Sequence, residues 1–210
     1  METVLELYAE PADPRRPRVC FDETSKQLVA EVREPVPPQP GRPERYDYEY
    51  HRNGVANLFV SYSPDQPQGG WRHVEVTAQR TKQQFAQQMK ALVDEHFPEA
   101  ELIRVVLDNL NTHTPAALYE AFAPEEARRL AAKLEFIYTP KHASWLNQAE
   151  IELAALTRQC LERRIPDAAT LQREVAAWEA ARNAAGTAIE WLFRVGDART
   201  KLKRLYPLLS

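Results

Sequence analysis

The sequence predicts an α/β fold, a mixed five-stranded sheet with helices on both faces. Short apolar runs bounded by turn formers, such as Ile103–Leu107 and Leu134–Tyr138, read as buried strands. Helical patterns separate the later runs, which gives βαβ units and parallel pairing. A turn-rich segment joins two earlier β-rich runs, the mark of an antiparallel hairpin. At 210 residues the chain suits one domain with a full core, with or without an appendage.

In chain order, residues 1–17 are polar with three prolines and read as an extended lead-in. Arg18–Phe21 is a short apolar strand that ends in Asp22-Glu23-Thr24, and Lys26 to Arg33 alternates as a second strand segment. Residues 34–43 hold five prolines and a glycine, a density no regular element survives. From Arg42 to Arg52, Tyr46, Tyr48 and Tyr50 alternate between charges. That run fits either a nucleic-acid contact, through Arg on phosphate and Tyr in stacking, or a polar edge strand. Val55–Tyr62 and Trp71–Thr77 form the hairpin, with Pro64, Asp65, Pro67, Gly69 and Gly70 in its loop.

Thr81-x-x-Gln84 is a capping box ahead of Phe85, Met89, Leu92 and Val93 at helical spacing, and Pro98 stops that helix. After the 103–107 strand, Thr114-Pro115 opens a short helix through Phe122, and Pro124 opens another to about Lys133. Leu134–Tyr138 is the last strand. Asn147 begins a helix to about Arg163 with Ala149, Leu153, Leu156 and Cys160 on its apolar stripe. A further helix covers 168–184 and ends at Gly186, and residues 186–210 form a basic helical tail. The catalytic unit is therefore placed at 18–185.

Composition narrows the function. The formal net charge of -3 gives no support to a strongly basic nucleic-acid binder and does not exclude one, because local clusters of Arg and Lys matter more than the total. Cys20 and Cys160 sit in apolar contexts and read as buried thiols of a reducing compartment. No apolar run reaches membrane-spanning length, and Met1–Glu10 carries acids where an export signal carries Lys or Arg. The expected location is cytoplasmic, with no membrane partner.

Three carboxylates stand out. Asp22 and Asp108 each follow an apolar strand, and Glu150 lies in the first turn of a helix. Strands that lie side by side would bring both aspartates to the carboxyl edge of the sheet, where open α/β sheets keep their ligand sites. Clustered acids repel one another unless a cation sits among them, and hard divalent ions prefer oxygen ligands. Two such ions suit in-line phosphoryl displacement. Each acid also has a bland reading: Asp108 as a turn cap, Glu150 as the return half of a capping box with Asn147, and Glu23 as a rival to Asp22. Asn109 and Asn111 either organise the turn or bond phosphate. His113 is either a satisfied helix-start histidine or a participant. Lys141 and His142 are either phosphate contacts or an exposed basic loop.

The segments Cys20-Phe21-Asp22-Glu23, Tyr48-Glu49-Tyr50-His51-Arg52-Asn53-Gly54, Leu107-Asp108-Asn109-Leu110-Asn111-Thr112-His113, Tyr138-Thr139-Pro140-Lys141-His142 and Ser144-Trp145-Leu146-Asn147-Gln148-Ala149-Glu150 together resemble the DDE transposases of bacterial insertion sequences. The branch they resemble is the insertion-sequence 630 family, related to mariner-type elements. The likeness runs from about residue 15 to the C-terminus. It implies a ribonuclease H-like catalytic domain whose acids carry over as Asp22, Asp108 and Glu150. It implies two Mg²⁺ or Mn²⁺ ions, and strand cleavage and transfer on double-stranded DNA, both element terminal inverted repeats and target. Asn109, Asn111, His113, Lys141, His142 and Arg52 are the candidate DNA contacts. A homodimer is a family-level expectation.

Two departures bear on this. The family usually carries an N-terminal helix-turn-helix before the first acid, and here that acid arrives at residue 22. The expectation is a split-frame product, with end recognition supplied by a separate helix-turn-helix protein or an upstream frame, or a truncated relic. Ala143 stands where the family's loop has Gly, so strain is expected there if the turn needs positive φ. Two other readings fit the same acids: a catalytically incomplete fragment that only binds DNA or transposase, and a ribonuclease H-type nuclease.

Overall fold

The structure, a computed structural model, describes residues 1–33, 37–43, 48–66 and 69–205. Tyr46, Pro67 and the end of the tail from Tyr206 onward lie outside the described residues. The elements in order are α1 (Glu2–Ala9), β1 (Arg18–Glu31), β2 (Tyr50–Ser63), β3 (Trp71–Thr77), α2 (Lys82–Ala91), β4 (Ile103–Leu107), α3 (Ala116–Ala121), α4 (Pro124–Ala132), β5 (Leu134–Tyr138), α5 (Ala149–Leu156), α6 (Ala168–Ala184) and α7 (Val195–Lys201). A π turn extends α2 over Leu92–His96 and another extends α5 over Thr157–Leu161.

The five strands form one sheet in the order β3-β2-β1-β4-β5. β1 and β2, and β2 and β3, pair antiparallel, whereas β1–β4 and β4–β5 pair parallel. This is the mixed sheet that the pattern predicts. Two expectations fail. The segments read separately on either side of Asp22 are one 14-residue strand, which gives the sheet its count of five. Their polar middle is kept extended by the long ladder to β2, with a bulge between Gln27 and Val29. Residues 1–17 are not an extended lead-in either, because Glu2–Ala9 is helical and buries Val4, Leu5 and Leu7. The three prolines all fall after Ala9, where they cannot break that helix.

Alternation along β1 sends successive side chains to opposite sheet faces. Val19 and Phe21 join Val105 and Leu107 of β4 under α2, α3 and α4, packing on Phe85, Met89, Leu118 and Leu130. On the other face, Leu58, Val60 and Val74 meet α5 and α6 through Leu156, Leu171 and Val175. Cys20, Tyr62 and Val106 share that second face with α1, Leu146, Ala149 and Ala198 of α7. Helices therefore cover both faces. α6 starts at Asp167, whose carboxylate accepts from Thr170 N at 2.7 Å, and Gly186 follows it with φ 58°. The tail is only partly helical: residues 187–194 carry no helix, and Trp191 packs edge-on to Tyr8 at 5.2 Å. Among the described residues no helix is long and apolar enough to cross a membrane.

Candidate active site

β1 and β4 run parallel, and their last paired rung is Cys20 with Val106. Two residues further along each strand stand Asp22 and Asp108, so the two acids leave the sheet level with each other. Asp22 continues the face that carries Cys20, which is the face α5 covers, and Asp108 stands one residue beyond the end of β4. Glu150 enters from the first turn of α5. Glu150 and Asp108 both lie near enough to act on the Asp22 carboxyl. Asp22 is not at a strand end as expected; it lies inside β1, at the point where β1 has run past the end of β4.

Burial pushes the Asp22 carboxyl up to about 7; the Glu23 amide donating to it works against this, and Glu150, Glu23 and Asp108 add their repulsion. That amide bond occupies Asp22 Oδ1 at 2.8 Å. Asp108 Oδ1 accepts from the Leu110 amide at 3.2 Å, the turn-capping role foreseen for it, and from His113 Nδ1 at 2.7 Å. Carboxylate oxygens are hard donors and fit a divalent cation in kind. Among the described residues, however, no group of three or more His, Cys, Asp or Glu side chains is gathered closely enough to hold a metal.

Asn147 sets the third acid relative to the first. Its buried amide donates to the Phe21 carbonyl at 2.8 Å, directly before Asp22, and its Oδ1 accepts from Ala149 N at 3.2 Å. The capping box with Glu150 does not form: the residue preceding α5 is Gln148, with no side-chain cap. Tyr8 of α1 supports the same loop by donating to the Leu146 carbonyl at 2.9 Å. Behind α5, Glu152 is fully buried between Arg72 of β3, at 3.1 Å, and Arg182 of α6, at 3.0 Å.

Glu23 is removed from the contest with Asp22. It points to the opposite face, where its side chain is 3% exposed and lies 2.9 Å from His113 Nε2. His113 is buried against Phe21 and Phe85, so it is not a DNA contact; a ring 1% exposed under the sheet edge has no path to a phosphate. Burial draws the His113 pKa down, but Glu23 and Asp108 together raise it above its usual value. Asn109 is exposed, yet its amide is engaged in tying the turn to the Thr139 carbonyl at 2.7 Å. Asn111, Lys141 and His142 are exposed along the same edge. Arg52 stands apart. It pairs in register with Val29, seven residues beyond Asp22 on β1, hence about 23 Å away at ~3.3 Å per residue. There it lines an open cavity of about 1050 Å³ with Lys26, Tyr50, Arg163 and Arg164. The strain expected at Ala143 is absent, since its φ is -127°, and the left-handed residue is its neighbour His142 at φ 64°.

Sequence reasoning did not assign roles to Glu23, Tyr8, Glu152 or Arg72. The adjacent acids Asp22-Glu23 were a usable signal, because alternation forces one of them toward the core. The partners of the others lie too far along the chain to be seen in spacing.

Residues 17–172 match the family described as DDE superfamily endonuclease. The chain belongs to that family. Solved structures agree on the fold of this DDE-family chain. The Mos1 transposase paired-end complex with left transposon end superposes with a TM-score of 0.58 at 18% identity, covering 88% of this chain and 54% of that one. The Mos1 Strand Transfer Complex gives 0.55 at 20% identity, covering 86% and 52%. The Mos1 mariner paired end complex with Mn gives 0.56 at 19%, covering 88% and 54%. The chain therefore has the ribonuclease H-like fold and spans about half the length of these transposases. No curated protein matches it in sequence.

Proposed function

We propose that this chain is the catalytic domain of a transposase of the insertion-sequence 630 branch, cleaving DNA at element ends and transferring the freed strand. Asp22, Asp108 and Glu150 hold Mg²⁺ or Mn²⁺ in this reading. The observation that carries it is the level exit of Asp22 and Asp108 from adjacent parallel strands, with Glu150 facing them from α5 and Asp22 raised to about 7. Membership of the DDE endonuclease family supports the reaction class, and the Mos1 relatives, solved with transposon-end DNA and with Mn, support the substrate and the cofactor.

Bound there, two divalent ions supply an activated water or 3′-hydroxyl and neutralise the departing oxygen of an in-line displacement. The chain's own part is to present oxygen donors of fixed direction. Oδ1 of each aspartate is occupied by a backbone amide, so Oδ2 is the oxygen assigned to the cation. Asn147 keeps the Glu150 helix against β1. Asn111, Lys141 and His142 are assigned to the phosphate backbone beside the acids, and Arg52 to a contact further along the duplex.

The test is cleavage of a supercoiled plasmid carrying the inverted repeats that flank the gene, with Mg²⁺ or Mn²⁺. Asp108→Asn is expected to abolish cutting while leaving circular dichroism and the melting transition in place. Undiminished cutting by that variant rejects the assignment. Cleavage of an RNA–DNA hybrid in preference to the plasmid moves the reading to a ribonuclease H-type nuclease.

A further inference from the structure

Asp108 is the outer end of a buried chain of charged groups. Its Oδ1 meets His113 Nδ1 at 2.7 Å, and on the far side of the same ring Nε2 lies 2.9 Å from Glu23 Oε2. The inner contact is a close imidazole–carboxylate approach without hydrogen-bond alignment, since neither atom has a hydrogen-bond partner. The ring is wedged between Phe21, edge-on at 5.5 Å, and Phe85, tilted at 4.9 Å. Tyr138 Oη donates to the His113 carbonyl at 2.8 Å and fixes the backbone beneath it. The other cation near Glu23, Arg80, is 3.9 Å away and half exposed.

We propose that Glu23 and His113 are positioning residues for Asp108, a buried carboxylate–imidazole pair that holds Oδ1 and directs Oδ2 to a divalent cation. The inference rests on the reading of Asp108 as a cation ligand. Three features argue for it over simple packing. A buried pair of ionisable groups costs desolvation that an apolar pair of the same volume does not, and the surrounding shell of Phe21 and Phe85 would accept an apolar pair. The ring reaches Asp108 on the oxygen that the Leu110 amide also engages, so the two donors restrain one oxygen from two directions. Finally, ligating carboxylates generally need such outer partners to fix their orientation, and loss of one typically weakens metal binding by about 10- to 100-fold.

The test is Mn²⁺ affinity, read as free Mn²⁺ by electron paramagnetic resonance, beside the melting temperature of each variant. His113→Asn places an amide nitrogen where Nδ1 stood and is expected to bind Mn²⁺ within about threefold of wild type. His113→Gln places its amide toward Glu23 instead and is expected to bind about tenfold more weakly, as is His113→Ala. Glu23→Gln, which keeps shape and loses charge, is expected to weaken binding by about tenfold and decides the matter if the His113 variants do not fold. Equal Mn²⁺ affinity for His113→Asn and His113→Gln, or wild-type affinity in Glu23→Gln, overturns the positioning role. A wild-type chain that binds no Mn²⁺ overturns it together with the proposed function. Mn²⁺ affinities in the expected order, in a protein that cuts no DNA, uphold the positioning role and reject the transposase reading alone.

Discussion

Asn147 does two jobs with one side chain. Its donor end is bonded to Phe21 and its acceptor end to Ala149, with the residue buried. Asn147→Ala leaves the Phe21 carbonyl and the Ala149 amide without these partners, at roughly 1–3 kcal/mol for a buried polar group. The expected result is an unfolding free energy lowered by that amount in urea and a loss of cleavage larger than the stability loss explains, since Glu150 is no longer referenced to Asp22. An Asn147→Ala protein as active as wild type at a temperature where both are folded contradicts this. At this scale the sequence singles out the three acids as candidates because each stands at a recognisable boundary. It misread His113 because burial depends on Phe21 and Phe85, which approach only in the folded chain. It misplaced the backbone strain by one residue, at Ala143 instead of His142, because residue type alone does not fix φ.

α5 is anchored from behind as well as from the strand. Glu152 is fully buried between Arg72 and Arg182, and Arg72 also lies over the Tyr62 ring at 5.5 Å. Two arginines facing one carboxylate make Glu152 the charge that the cluster depends on. Glu152→Gln retains the shape and removes that charge, with an expected loss of about 3–5 kcal/mol, measured by chemical denaturation. A loss under about 1 kcal/mol would mean that Asn183 and the Thr187 carbonyl, which also accept from Arg72, suffice without it. Elements with strong periodicity were legible. The 168–184 helix was read to the residue, and β3, β4 and β5 were read with their bounds. The unity of β1 was not legible, because Asp22 to Ser25 interrupt the apolar pattern and only pairing with β2 keeps them extended. α1 was hidden by the prolines that follow it.

For the whole molecule, the buried Asp22 carboxyl couples folding to pH. Asp22 keeps its proton to about pH 7 in the folded chain, against an ordinary value of 3.8. Between those values the folded state binds more protons than the unfolded one, so stability declines as pH rises through this window. Asp22→Asn removes the decline. In metal-free protein the variant is expected to be more stable than wild type at pH 8 and close to it at pH 4, by urea denaturation. Identical pH profiles for the two would mean that Asp22 does not carry this strain. Mg²⁺ added at pH 8 is expected to raise the wild-type melting temperature and to leave the Asp22→Asn variant nearly unmoved. The mixed sheet and its two covered faces followed from connection rules, but the strand order and the level exit of Asp22 and Asp108 are matters of pairing and register, which no local pattern states. That register has an evolutionary corollary. Because neighbouring acids on β1 look out from opposite sides, deleting or inserting a single codon upstream of Asp22 within the strand would turn Glu23 or Phe21 toward the corner shared with α5 and bury the wrong group on the far side. This short stretch should tolerate exchange of its apolar residues for one another far more readily than any change in its length.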